Sequence, residues 1–329
     1  MIDCLSNPEW INPQIDFLLF LQNLRIGHLE VFDNFFLSVT IFGEFWLPTL
    51  ICAIIYWCID FKAGFYMFTL QSINIFITHL FKMLACVYRP WVLSENIHPS
   101  ELAVPYAKGY SFPSGHSAMS SSILGGTAYI FRHKLFICLL CIGLILLVGF
   151  SRLWLGVHTP QDVICGLLIG ITVVFGSNYI LKLAEKNKNG DMILMGIINL
   201  TAIIVLIYLC CFNQYPADYV SGELLVDPAK SIYLTCIVYS YALGLIDGCF
   251  ICKRFYPFNP QDVSAKCRII RGLIGTALVI ILAKFLLKYL IMNTFSLYAV
   301  VPVIFLSGLS LTLIYPIIFI KYEKSLNIK

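Results

Sequence analysis

Apolar residues dominate nine stretches of the chain, near 44–60, 62–86, 114–132, 134–151, 160–183, 191–212, 229–250, 268–290 and 296–320. Each approaches the roughly 20 residues a helix needs to cross a bilayer. In lipid, a helix satisfies all its backbone N–H and C=O groups internally. The pattern therefore predicts an all-α fold, a polytopic membrane helix bundle of about nine transmembrane helices. Residues 11–41 differ, because Asp16, Arg25, His28, Glu30 and Asp33 interrupt the apolar run. They read as amphipathic helices lying in the membrane interface, or equally as an N-terminal helix packed on the bundle. Three parts follow: an N-terminal interfacial segment at 1–43, a core at 44–185 and a four-helix membrane region at 186–329.

Composition supports the membrane reading. The chain is 59% hydrophobic and 12% charged, with mean hydropathy +0.85, whereas soluble domains carry about 25% charged residues. The net charge of +4 is small, and no nucleic-acid partner is expected. Most of the 13 cysteines fall inside apolar runs (Cys86, Cys138, Cys141, Cys165, Cys210, Cys211), the habit of buried free thiols. The pairs Cys138/Cys141 and Cys249/Cys252 have metal-like spacing, but their apolar surroundings argue against zinc or redox use.

The placement of charge orients the chain. Most Lys and Arg collect in alternate loops: Lys62; Arg132 and Lys134; Lys182, Lys186 and Lys188; Lys253 to Arg271; and Lys321, Lys324 and Lys329 in the tail. The 213–228 loop holds Asp218, Glu223 and Asp227 with no Lys or Arg. The positive-inside rule then puts the 87–113 loop and the 152–159 bend outside, with the C-terminus cytoplasmic. Short loops favour a bacterial plasma membrane. Asp247 and Lys284 fall within spans, where charge is costly, and are expected either to pair with each other or to lie nearer the interface than the span boundaries indicate. Trp46, Trp57, Trp91 and Trp154 read as interfacial aromatics; Trp91 and Trp154 also stand near enough to Arg89 and Arg152 to line an entrance. Glu44 is expected to border the same region.

Three polar segments then share one predicted face. Lys82 and Arg89 are seven residues apart, close to two helical turns, so both are expected on one side of a helix that Pro90 ends. Pro113-Ser114-Gly115-His116 opens a helix, with Ser114 as N-cap and Gly115 leaving the backbone open to a ligand. The free N–H groups there suit an anion, and His116 can exchange a proton beside it. Arg152 closes the fourth span. Thr159-Pro160-Gln161-Asp162 opens the fifth, with Thr159 as N-cap, Pro160 at N1 and Asp162 at N3. His158 then stands just outside the helix with Asp162 behind its ring, an arrangement that fixes the tautomer and raises the basicity of the other nitrogen.

Together, K-x6-R-P (Lys82 to Pro90), P-S-G-H (Pro113 to His116) and S-R-x5-H-x3-D (Ser151 to Asp162) resemble the three-part signature of the type-2 phosphatidic acid phosphatase superfamily. The resemblance covers roughly 40–185, and the nine-span layout is similar to that of glucose-6-phosphatase and the sphingosine-1-phosphate phosphatases. It implies that His158 attacks phosphorus to form a phosphohistidine and that Asp162 orients it. It implies that His116 protonates the leaving alkoxide and then activates water. Lys82, Arg89 and Arg152, with Ser114 and Gly115, would hold the phosphoryl oxygens. No Asp/Glu cluster suggests a magnesium site, and fixed cations with a helix N-terminus can stabilise the charge, so no metal or other cofactor is expected.

The function so implied is hydrolysis of a lipid or isoprenoid phosphate monoester or pyrophosphate on the extracytoplasmic face. The expected partners are that lipid phosphate and the bilayer; oligomeric state stays open. A phosphotransferase using the same site is the first alternative. A transporter or scaffold that keeps only the fold is the second, and the intact pair of histidines with an Asp behind one of them argues against it.

Overall fold

The computed structural model describes residues 8–26, 30–107, 109–220, 223–292 and 296–325. His28, Lys108 and Lys329 lie outside the described residues. The elements in order are α1 (Pro8–Leu24), α2 (Asp33–Val39), α3 (Trp46–Ile54, continued as a π turn to Ile59), α4 (Phe61–Ala85) and the single turn α5 (Pro90–Leu93). Next come α6 (Gly115–Ile130), α7 (Leu135–Trp154), α8 (Pro160–Ala184) and α9 (Gly190–Cys211). A two-stranded antiparallel ribbon follows, β1 (Tyr219–Val220) and β2 (Glu223–Leu224). Finally come α10 (Pro228–Phe255), α11 (Ala265–Met292), α12 (Leu297–Leu309) and, after a π turn, α13 (Tyr315–Ser325).

The fold is helical as expected, and the described residues do not confirm the count of nine spans. Among the described residues six helical stretches are long and apolar enough to cross a bilayer, or seven if the bent pair Asp33–Gly43 and Trp46–Ile59 is one span. The α6 helix shows why pattern overcounts. Its 16 residues rise about 24 Å, short of the roughly 30 Å hydrocarbon core. Its apolar run is broken by Ser117, Ser120, Ser121 and Ser122, all buried, so it is an inner helix. Lipid-facing character sits instead on α7, α8 and α9, where Leu139, Leu146, Ile164, Leu168, Ile197 and Leu200 are exposed. Such an apolar exterior identifies an integral membrane protein.

The chain divides into two compact units. The first comprises residues 1–45, 77–172 and 207–232. In it, α8 passes close to α6: a Cβ on Gly166 would lie 2.6 Å from the Ser114 carbonyl, and one on Gly170 2.5 Å from Ser121 Cβ. This small-xxx-small pairing is how helices approach in lipid. The α1 helix packs Ile11, Ile15 and Leu18 against Ile97 and leaves Trp10 and Phe20 exposed. Arg25 and Asp33 are a buried ion pair at 3.4 Å. Asp33 also accepts from Trp154 Nε1 at 3.0 Å. Trp154 is therefore a core residue that ties α7 to α2, not an interfacial aromatic.

The second unit comprises residues 46–76, 173–206 and 233–329. Here α10 and α12 cross backbone to backbone at Gly244 and Gly308. Trp57 is fully buried and donates to the Leu311 carbonyl at 3.0 Å, which again corrects the interfacial reading. Asp247 accepts from Asn199 Nδ2 at 2.7 Å while Lys284 is exposed, so the expected Asp–Lys pair does not form; an amide supplies the donor without burying a second charge. Arg271 makes a two-pronged pair with Glu323, through Nε at 2.5 Å and through Nη2, and donates to the Trp57 carbonyl at 3.2 Å. Removing one partner of such a buried pair strands the other charge. Glu323→Gln should therefore destabilise the protein by about 3–5 kcal/mol, measured by unfolding in detergent micelles, whereas Arg271→Met with Glu323→Leu should cost much less.

Candidate active site

The site residues expected from sequence, Lys82, Arg89, Ser114, Gly115, His116, Arg152, His158 and Asp162, all lie in the first unit, and two helix ends set their geometry. The α7 helix finishes in a Schellman turn. Val157 N–H bonds the Arg152 carbonyl at 3.2 Å and Gly156 N–H the Leu153 carbonyl at 3.0 Å, with Gly156 left-handed at φ 69°, the usual place for glycine. Two residues later α8 begins with the expected capping box. Thr159 N–H donates to Asp162 Oδ2 at 2.8 Å, and Asp162 N–H to Thr159 Oγ1 at 3.4 Å. His158 is thus confined between a helix stop and a helix start.

The Asp162 carboxylate binds more than the cap. Its Oδ2 also accepts from Ser111 Oγ at 2.6 Å and lies 3.3 Å from His158 Nδ1. With Nδ1 carrying the proton toward Asp162, Nε2 is left as the acceptor, and Arg89 Nη1 meets it at 3.0 Å. Both His158 and Asp162 are buried. Burial, with Arg89, Arg152 and Lys82 around it, pushes the imidazole well below its ordinary pKa. His158 is therefore neutral, the form that can act as a nucleophile.

Arg89 reaches this place by a different route from the one its spacing suggests. The α4 helix stops at Ala85, Cys86 takes a left-handed φ of 49°, and Arg89 is extended at φ −70°, ψ 154° ahead of Pro90. The pair with Lys82 does not ride one helical face. Proline imposes the extended backbone, which turns the guanidinium inward. Its Nε donates to Gly109 at 3.1 Å and its Nη1 to Val157 at 2.8 Å. Lys82 points its ammonium at three carbonyls, Tyr110 at 2.9 Å, Ser111 at 3.3 Å and Pro113 at 3.1 Å. All three of its donors therefore shape the 110–113 loop that carries Ser111.

Ser114 is the N-cap of α6, accepting from Ser117 N–H at 3.4 Å and Ser117 Oγ at 2.9 Å. Its own N–H bonds the Asp162 carbonyl at 2.9 Å, which ties the first turns of α6 and α8 together. A Cβ on Gly115 would meet nothing nearer than Thr78 Cγ2 at 3.9 Å, so protein packing does not impose that glycine. At Gly43 packing does: a Cβ would lie 2.5 Å from the His116 carbonyl. His116 is half-buried, within electrostatic reach of Arg152 and His158. Glu44 interacts electrostatically with Arg152.

Arg152 is the anomaly. It is 1% exposed, yet its Nε and Nη1 have no hydrogen-bond partner. Leaving two guanidinium nitrogens buried without acceptors is costly, and three cations here outnumber the carboxylates of Asp162 and Glu44. The site fits a small oxyanion. Sequence reasoning missed Ser111, Gly156 and Gly43. Gly156 carried the ordinary helix-stop signal; Ser111 and Gly43 carried none, because their roles depend on distant chain segments.

Residues 62–186 match the PAP2 superfamily, and residues 238–326 match the transmembrane extension of PAP2 superfamily phosphatases. The chain is 29% identical over 102 residues to phosphatidylglycerophosphatase B of Bacillus subtilis, covering 29% of this chain and 49% of that protein. It is 30% identical over 208 residues to a protein of Dictyostelium discoideum named "Probable sphingosine-1-phosphate phosphatase", covering 56% and 48%. It is 38% identical over 88 residues to undecaprenyl-diphosphatase BcrC of Bacillus subtilis, covering 26% and 42%. The chain thus spans about half or less of the length of these curated relatives. No solved structure matches it. The first matched segment contains every site residue from Lys82 to Asp162, the second lies in the C-terminal helices, and the chain thus carries a PAP2 superfamily domain followed by the PAP2 transmembrane extension.

Proposed function

We propose that this protein is a membrane phosphatase that hydrolyses lipid or isoprenoid phosphates through a phosphohistidine on His158. The observation that carries the reading is the buried Arg152, whose Nε and Nη1 lack acceptors, in the same unit as a buried His158 whose Nδ1 faces Asp162. An incoming phosphoryl group gives Arg152 its missing acceptors and draws Arg89 from His158 Nε2 onto its oxygens. That nitrogen then attacks phosphorus, forming an N–P bond as the P–O bond to the lipid alcohol breaks. Burial and the surrounding cations hold His116 below its ordinary pKa; the anionic phosphoryl group offsets those cations, so that His116 takes up a proton as substrate binds, gives it to the departing alkoxide, and then takes one from the water that cleaves the N–P bond and releases phosphate. Two easier displacements replace one difficult hydrolysis, and catalysis is mostly positioning and charge stabilisation. The cations supply that charge, so the reading calls for no metal.

The named relatives act on phosphatidylglycerophosphate, undecaprenyl diphosphate and sphingosine-1-phosphate, as their names state, which supports a lipid-tailed phosphate as substrate. The distribution of Lys and Arg supports an extracytoplasmic site and a cytoplasmic C-terminal end. Ser111 enters as a positioning residue: by donating to Asp162 it fixes the carboxylate that fixes His158.

Purified protein should release phosphate from a panel of lipid phosphates in EDTA. His158→Ala should lower that release by about 10³-fold or more, and activity surviving the substitution would remove His158 from the role. Ser111→Ala should lower kcat about tenfold with little change in KM; a purely structural role would instead lower the folded fraction and leave the ¹⁵N histidine spectrum of the folded protein unchanged. Arg152→Met should make the free protein more stable, by roughly 1 kcal/mol or more, while abolishing turnover. Inorganic phosphate should raise the melting temperature of the wild type and not of the variant.

A further inference from the structure

A second polar site lies in the other unit, and nothing in the reaction uses it. A cavity of about 200 Å³ opens between the first turn of α4 and the last turns of α8 and α10. Its apolar wall is Phe61, Phe65 and Leu181; its charged rim is Lys62, Lys182 and Lys253, with Glu185. The three lysines come from three helices and differ in condition. Lys253 is held in place, 2.9 Å from Asp191, 3.7 Å from Glu185 and 4.9 Å from the Phe65 ring centre. Lys62 and Lys182 have no carboxylate within ion-pair distance among the described residues, and both are exposed.

Two free ammonium groups over an aromatic wall, at one end of apolar helices, form an amphipathic receptor. The cavity is smaller than the 300–1,000 Å³ of a typical small-molecule site, so it suits a headgroup and not a whole lipid. Outside it, α8 exposes Phe175, Tyr179 and Leu183, along which acyl chains can lie. Basic pockets between transmembrane helices are the usual form of anionic headgroup sites.

We propose that this cavity binds the phosphate of an anionic phospholipid, gripped by Lys62 and Lys182 and backed by Lys253. The assignment is independent of the hydrolytic site. The test is native mass spectrometry of delipidated protein titrated with phosphatidylglycerol, with phosphatidylcholine and with inorganic phosphate, in wild type, Lys62→Gln/Lys182→Gln and Lys62→Arg/Lys182→Arg. An Arg152→Met background removes binding at the hydrolytic site from the count. The wild type should hold one phosphatidylglycerol about tenfold more tightly than the Gln pair, and the Arg pair should retain it. Equal binding by the Gln pair, or equal retention of phosphatidylcholine, would overturn the site. Displacement of the lipid by millimolar inorganic phosphate would overturn the lipid assignment in favour of a free anion.

Discussion

A buried guanidinium with two nitrogens lacking acceptors is the constraint on which the rest of the first unit depends. Arg152 sits at 1% exposure with two of its nitrogens unbonded. Left to itself, such a group would draw in water or a carboxylate, or reorganise the helix end that carries it. The helix end that carries it is held in place on both sides. The Schellman turn fixes the end of α7, the capping box fixes the start of α8 two residues later, and the Ser114 N–H locks α6 to that same first turn. Arg89 and Lys82 spend most of their donors on backbone carbonyls. On the proposed mechanism an arriving oxyanion supplies the two missing acceptors, which is how a preorganised site favours charge that develops during reaction.

Asp162 concentrates the organisation further. One carboxylate oxygen caps α8, accepts from Ser111 and faces His158 Nδ1. Helix start, loop position and imidazole tautomer are therefore one structural fact. A change at any of them is felt at the others, so additivity between substitutions at Ser111, His158, Thr159 and Asp162 is not expected.

Much of this was legible in the sequence because it is local. The capping box needs only Thr159, Pro160 and Asp162; the N-cap of α6 needs only Ser114. Helix type and position followed from apolar runs. What failed was whatever depends on tertiary surroundings. The α6 segment reads as a span until its serines are seen buried against α8. Trp57 and Trp154 look interfacial until their N–H groups are seen bonded inside the protein. Arg89 was placed on a helix by its spacing from Lys82, yet the helix ends at Ala85 and Cys86 turns the chain. Ser111 has no local signature at all, since its value lies in reaching Asp162 across 51 positions.

The central claim is that phosphorus is transferred to His158. Its most direct measurement is rapid quenching of the protein with a lipid phosphate labelled in the phosphoryl group, followed by peptide mass spectrometry under alkaline conditions that preserve phosphohistidine. The account predicts label on the peptide containing residue 158, formed before phosphate is released and more persistent in His116→Ala, where water is not activated. Full turnover with no label at His158, or label on another residue, would contradict it.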